Sequence, residues 1–181
     1  YTRTASVLIK EDSKGKSVSS DLESFSEFGL FQSGTNVNNE LITFRSPSLM
    51  TEVVKRLRLD MNYFVRGKFH RQVAYGLTLP VDVTINDLPE NESAGFTLEI
   101  QPDGTLYLSD FIRNGTDLEE KDVKGSLLDS ITTPLGKIII HTTPNYVKGE
   151  AYTLYVGKSN LYNAVNSCSS NLSVSLNNEK A

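Results

Sequence analysis

The sequence predicts an α+β fold, a mixed α/β body of residues 1–67 and 132–181 interrupted by a small antiparallel β-sandwich or barrel over 68–131. Two observations predict the body and a third the insertion. Apolar residues recur at helical spacing near 49–57 and 161–168, and short apolar runs that read as strands flank both. Between Lys68 and Ile131 the pattern changes to alternating runs bounded by Pro, Gly and Asp, the signature of antiparallel strands. A chain of 181 residues, 38% hydrophobic, buries about 70% of its unfolded surface, which sustains one or two small cores.

The opening run Ala5-Ser6-Val7-Leu8-Ile9 is aliphatic and β-branched and reads as a strand, followed by a polar loop over 11–20. Tyr1 stands in mid-strand with no initiator Met and no leader, so the expectation is a segment of a longer protein. Asp21 is placed to cap a short helix to Phe31 with Leu22, Phe25 and Phe28 on one face, ended by Gly29 or Gly34. Ser46-Pro47 is the clearest helix start. The serine side chain accepts from free backbone amides, and proline suits the first turn because that turn has no amide to lose. Leu49, Met50, Val53, Val54 and Leu57 then form the packing face, while Thr51, Glu52, Lys55, Arg56 and Arg58 form the polar one.

Leu59, Met61, Tyr63 and Val65 alternate with Asp60, Asn62, Phe64 and Arg66, a period of two that reads as a half-buried strand. The runs 79–85 and 96–100 alternate cleanly, and Pro102-Asp103-Gly104 turns the second back into 105–108. Lys137-Ile138-Ile139-Ile140-His141 reads as a central strand with 152–156 as its partner. Ser159 is placed to cap a last helix with Leu161, Ala164, Val165 and Cys168 on one face, and 172–176 reads as a closing strand.

Chemistry-bearing motifs are sparse. Lys14-Gly15-Lys16-Ser17 ends like a phosphate-binding loop, but Lys10 stands where the first glycine belongs. His70 and His141 have no metal-ligand partner at helical spacing, and Asp82, Asp87, Glu90 and Glu92 follow no EF-hand order, so no metal and no cofactor is expected. A single cysteine forms no internal disulfide, and the chain has no Gly-x-Ser-x-Gly elbow. Glu119, Glu120 and Asp122 read as solvated acids, and no catalytic residue is nominated. Three Asn-x-Ser/Thr triplets begin at Asn91, Asn114 and Asn171, a pattern common by chance. Tyr75, Tyr107, Tyr146, Tyr152, Tyr155 and Tyr162 fall on or near the expected strands, where a ring either packs or stacks on sugar.

Charge divides unevenly. Residues 1–60 hold eight basic and eight acidic side chains, 61–130 six and twelve, and 131–181 four and two. The acidic middle repels phosphate backbones and anionic lipid, which argues against nucleic acid as a partner. No run of about 18 apolar residues is present to span a bilayer.

One resemblance adds to this reading. Tyr1, Ala5, Val7, Leu8 and Ile9, then Asn36 to Glu40, then Arg45-Ser46 leading into Val53, Val54, Leu57, Leu59 and Tyr63, resemble the chain-length determinant (Wzz-type) domain of polysaccharide co-polymerases. That family includes the extracytoplasmic part of Wzc-like bacterial tyrosine autokinases. A second likeness lies in Gly149-Glu150-Ala151-Tyr152-Thr153-Leu154-Tyr155, Ala164 and Leu172-Ser173-Val174, whereas 68–131 departs from the long helices of the simplest members. The resemblance implies a Wzz-like α/β body at the periplasmic face of the inner membrane, anchored by flanking helices. It implies a non-catalytic role in setting the chain length and export of capsular, O-antigen or exopolysaccharide. Copies would assemble as a homo-oligomer through polar helix faces, including Glu52, Lys55 and Arg56, and meet the polymerase or the growing glycan. The alternative is a secreted β-rich adhesin or glycan-binding module.

Overall fold

The computed structural model describes residues 2–7, 37–66, 71–74 and 78–175. Helix α1 (Val37–Phe44) leads through a tight link into α2 (Pro47–Leu57). Ser46 caps α2 as its sequence demands, in extended conformation, with its hydroxyl accepting from Leu49 N at 3.3 Å. Among the described residues ten strands follow: β1 (Met61–Arg66), β2 (Arg71–Ala74), β3 (Val81–Asn86), β4 (Ala94–Ile100), β5 (Thr105–Arg113), β6 (Thr116–Asp117), β7 (Val123–Ser126), β8 (Ile131–Thr133), β9 (Gly136–Thr142) and β10 (Tyr152–Lys158). Helix α3 (Leu161–Asn171) closes the series.

The strands form two antiparallel sheets. The larger runs β2-β1-β10-β4-β5-β6, with β7 also paired to β5, and the smaller runs β3-β9-β8. Both face one core. Phe96, Leu98 and Ile100 of β4, Leu106 and Leu108 of β5, and Leu154 and Val156 of β10 meet Val81, Val83, Ile138 and Ile140 of the small sheet. Alternation accounts for these positions, with one exception on β5. Thr97 lies opposite Ser109 but Gly95 opposite Ile112, so β5 carries one extra residue in a bulge at Asp110, whose φ is 53°. The bulge resets the parity and turns Phe111 inward, where its ring stacks on Phe96 at 6.2 Å. A smaller core joins α2 to α3 through Met50, Val54, Ala164 and Val165.

One junction ties the helix pair and both sheets together. The chain leaves α2 through Arg58 in the left-handed region, φ 51°. Its guanidinium donates to the Asp82 carboxylate and to the Val83 carbonyl. The Tyr63 hydroxyl donates to Asp82 Oδ1 at 3.0 Å and accepts from Val83 N at 3.0 Å. Both backbone polar groups of Val83, on the edge strand of the small sheet, are thereby occupied by side chains. Burial pushes the Tyr63 phenol well above its ordinary range.

This architecture corrects the expected fold class. The described residues are mostly β, in two antiparallel sheets with three helices; there is no closed barrel, and a Wzz-like helical body is not seen. Nor does the β-rich segment form a separate inserted sandwich, because β4 sits in the large sheet between β5 and β10 and β3 pairs with β9. Four local expectations also fail over the described residues. The run 137–141 lies at the centre of the small sheet, as expected, but its neighbours are β3 and β8, while 152–156 belongs to the other sheet. The cap of α3 is Asn160, accepting from Asn163 N at 2.8 Å; the Ser159 amide is spent on Asp60 O. Residues 172–175 form no strand and neither do residues 2–7, which are exposed. Leu8, Ile9, the expected helix at 21–31, Lys14 to Ser17, His70, Tyr75 and Leu176 lie outside the described residues.

Candidate functional site

The outer face of the large sheet carries the candidate site. Because Leu98 and Ile100 point inward, Glu99 and Gln101 point outward, and the same parity exposes Thr105, Tyr107 and Ser109 on β5. Pairing aligns them in a row across three strands. Glu99 lies opposite Tyr107, and Tyr107 lies opposite Lys124 of β7. The turn at 102–104 closes one end. Gly104 takes the positive φ of 85° that the reversal requires, and Asp103 Oδ1 accepts from Thr105 N at 2.9 Å. That hydrogen bond lowers the Asp103 carboxyl below its ordinary value.

These residues and Asp122 line a shallow groove of about 710 Å³. Its wall chemistry is mixed: carboxylates at Glu99, Asp103 and Asp122, one ammonium, one amide, two aliphatic hydroxyls and one phenol ring. Lys124 Nζ stands 5.7 Å from the centre of the Tyr107 ring, a cation–π contact that orients both side chains, and the tyrosine stays 37% exposed. No histidine or cysteine is among the residues that line the groove.

The helix-borne residues named from sequence lie elsewhere. On α2, Lys55 bonds Glu90 of the β3–β4 connection at 2.9 Å, which raises the lysine pKa above its ordinary value, and Arg56 stands 3.9 Å from Glu52 one turn away. All three side chains are solvent-accessible. The four acids considered for calcium are separated by their partners or positions. Asp82 serves Arg58, Glu90 serves Lys55 and Glu92 serves Arg113, while Asp87 holds a positive-φ turn at 68°. Among the described residues no group of three His, Cys, Asp or Glu side chains is placed to hold a metal ion.

Tyr107 was legible as a stacking candidate, but Glu99, Gln101 and Lys124 were not singled out. Alternation along β4 and β5 carries the signal for the first two. Lys124 joins them only through the β5–β7 pairing, which no local pattern encodes. Of the other tyrosines, Tyr146 and Tyr152 pack on each other at 5.8 Å and Tyr155 packs on Phe64 at 6.2 Å. Tyr162 is exposed on α3. The chain matches no protein-family model, and no curated protein sequence matches it.

Proposed function

We propose that this chain is the extracytoplasmic domain of a membrane-anchored polysaccharide co-polymerase, which controls the chain length and export of a surface polysaccharide by assembly and without catalysis. One observation carries the reading. The two segments that resemble the chain-length determinant family are far apart in sequence yet meet in space. Helix α2 of the first packs on α3 of the second through Met50, Val54, Ala164 and Val165. Strand β1 of the first pairs with β10 of the second from Met61↔Lys158 to Val65↔Leu154. Residues that carry a shared likeness and form one packed unit support a common origin better than either segment alone.

Among the described residues no helix is long and apolar enough to cross a membrane, so on this reading anchorage belongs to flanking segments. The accessible face of α2, with Glu52, Lys55 and Arg56, is the surface offered to neighbouring copies. The test is deletion of the parent gene in its native host, gel analysis of surface polysaccharide, and complementation with wild type or Arg56→Glu. A redistributed length pattern that wild type repairs supports the reading, and failure of Arg56→Glu to repair it supports the assembly face. An unchanged pattern overturns the reading and leaves the adhesin alternative.

A further inference from the structure

We infer that the groove across β4, β5 and β7 binds a neutral oligosaccharide, a short stretch of uncharged glycan chain laid along the Glu99-Tyr107-Lys124 row. This deepens the co-polymerase reading by naming the class of glycan, and in that respect rests on it. The first support is form. The groove volume of about 710 Å³ falls within the roughly 300–1,000 Å³ of small-ligand sites. Its floor is also held rigid, because the inward side chains of β4 and β5 are fully buried at Leu98, Ile100, Leu106 and Leu108.

The second support is the chemistry of the walls. A sugar ring presents C–H faces that stack on an aromatic ring and hydroxyls that both donate and accept. Tyr107 supplies the ring. Glu99 and Asp122 accept, Lys124 donates, and Gln101, Thr105 and Ser109 do both. Charge then selects within the class. Three carboxylates face one ammonium, so a polyanionic glycan meets net repulsion while an uncharged one does not. A site with a single ring and an open mouth binds weakly, with a Kd of about 1 mM.

The test titrates the isotope-labelled 181-residue chain with maltohexaose, cellohexaose, chitohexaose and an oligogalacturonate, followed by amide chemical shifts. Saturable shifts at Glu99, Tyr107 and Lys124 with at least one neutral probe are expected. Affinity should fall about tenfold in Tyr107→Ala and survive in Tyr107→Phe, because the ring and not the hydroxyl is the stacking group. The oligogalacturonate should not bind. Silence from all three neutral probes, binding that Tyr107→Ala leaves unchanged, or equal binding of the uronate overturns the inference. The two proposals fail separately: neutral glycan binding with an unchanged polysaccharide pattern in the deletion strain sinks the co-polymerase role alone. An altered pattern with no glycan binding sinks the groove alone.

Discussion

Tyr63→Phe removes one oxygen atom from the junction between the sheets and leaves two groups without their partner. The Val83 amide, on a residue that is 0% exposed, loses its acceptor at 3.0 Å, and Asp82 loses a donor at 3.0 Å. A buried donor left unsatisfied costs about 1–3 kcal/mol. Asp82 is partly exposed and keeps Arg58, so water replaces most of its loss. The expected destabilisation is therefore about 2 kcal/mol, or a Tm lower by about 4–8 °C for a chain of this length. Urea unfolding at pH 7, followed by far-UV circular dichroism, reads it as a lower midpoint at unchanged slope. A loss below about 0.5 kcal/mol would refute the assignment of the hydroxyl as the partner of Val83. Alkaline pH provides a second arm. With the folded phenol raised above its ordinary 10.0, stability is independent of this group below that pH. Above it the unfolded chain gives up a proton that the folded protein keeps, so wild-type stability falls as pH rises. Tyr63→Phe should lack that component of the decline.

Three further outcomes are expected. Gly125→Ala would place its Cβ 2.4 Å from Ile131 Cδ1 and 2.6 Å from Cγ1, an overpacking that costs about 1–3 kcal/mol in urea unfolding. Combined with Ile131→Ala it should cost no more than Ile131→Ala alone. Ser46→Ala should lower stability by about 1 kcal/mol through loss of the α2 cap, measured the same way, whereas Ser159→Ala should do far less because Asn160 is the cap of α3. The Arg113 guanidinium beside Glu92 holds its carboxyl below the ordinary 4.5. That pairing is present above 4.5 and lost as pH falls through the lowered value. A carboxyl-carbon NMR titration should show the depression in wild type and its disappearance in Arg113→Gln.

Features set by near neighbours in the chain were legible. Ser46-Pro47 and the spacing of Met50, Val53, Val54 and Leu57 give α2, alternation gives β3 and β4, and Pro102-Asp103-Gly104 gives the turn between β4 and β5. The pairing of strands was not legible, because β9 and β10 both bury alternate residues in the same core and their local patterns do not say which sheet each joins. The bulge at Asp110 hid the second half of β5, since one extra residue breaks the period of two that marks a strand. Arg58 read as one more cation on the polar face of α2. Its left-handed backbone, which aims the guanidinium at Asp82 and Val83, has no composition signal outside glycine and asparagine. The candidate groove was half legible, with its ring visible in the sequence and its cation supplied by a strand that only tertiary pairing brings alongside.

The position of β10 has a consequence for how the molecule comes into being. It is the strand that joins β1 to β4, so without it the large sheet is two fragments, β2-β1 on one side and β4-β5 with β6 and β7 on the other. Residues 152–158 are made after every strand they connect. A nascent chain emerging N-terminus first therefore holds its sheet fragments apart, with apolar faces unmatched, until those residues arrive. Completion of the large sheet therefore waits on one strand.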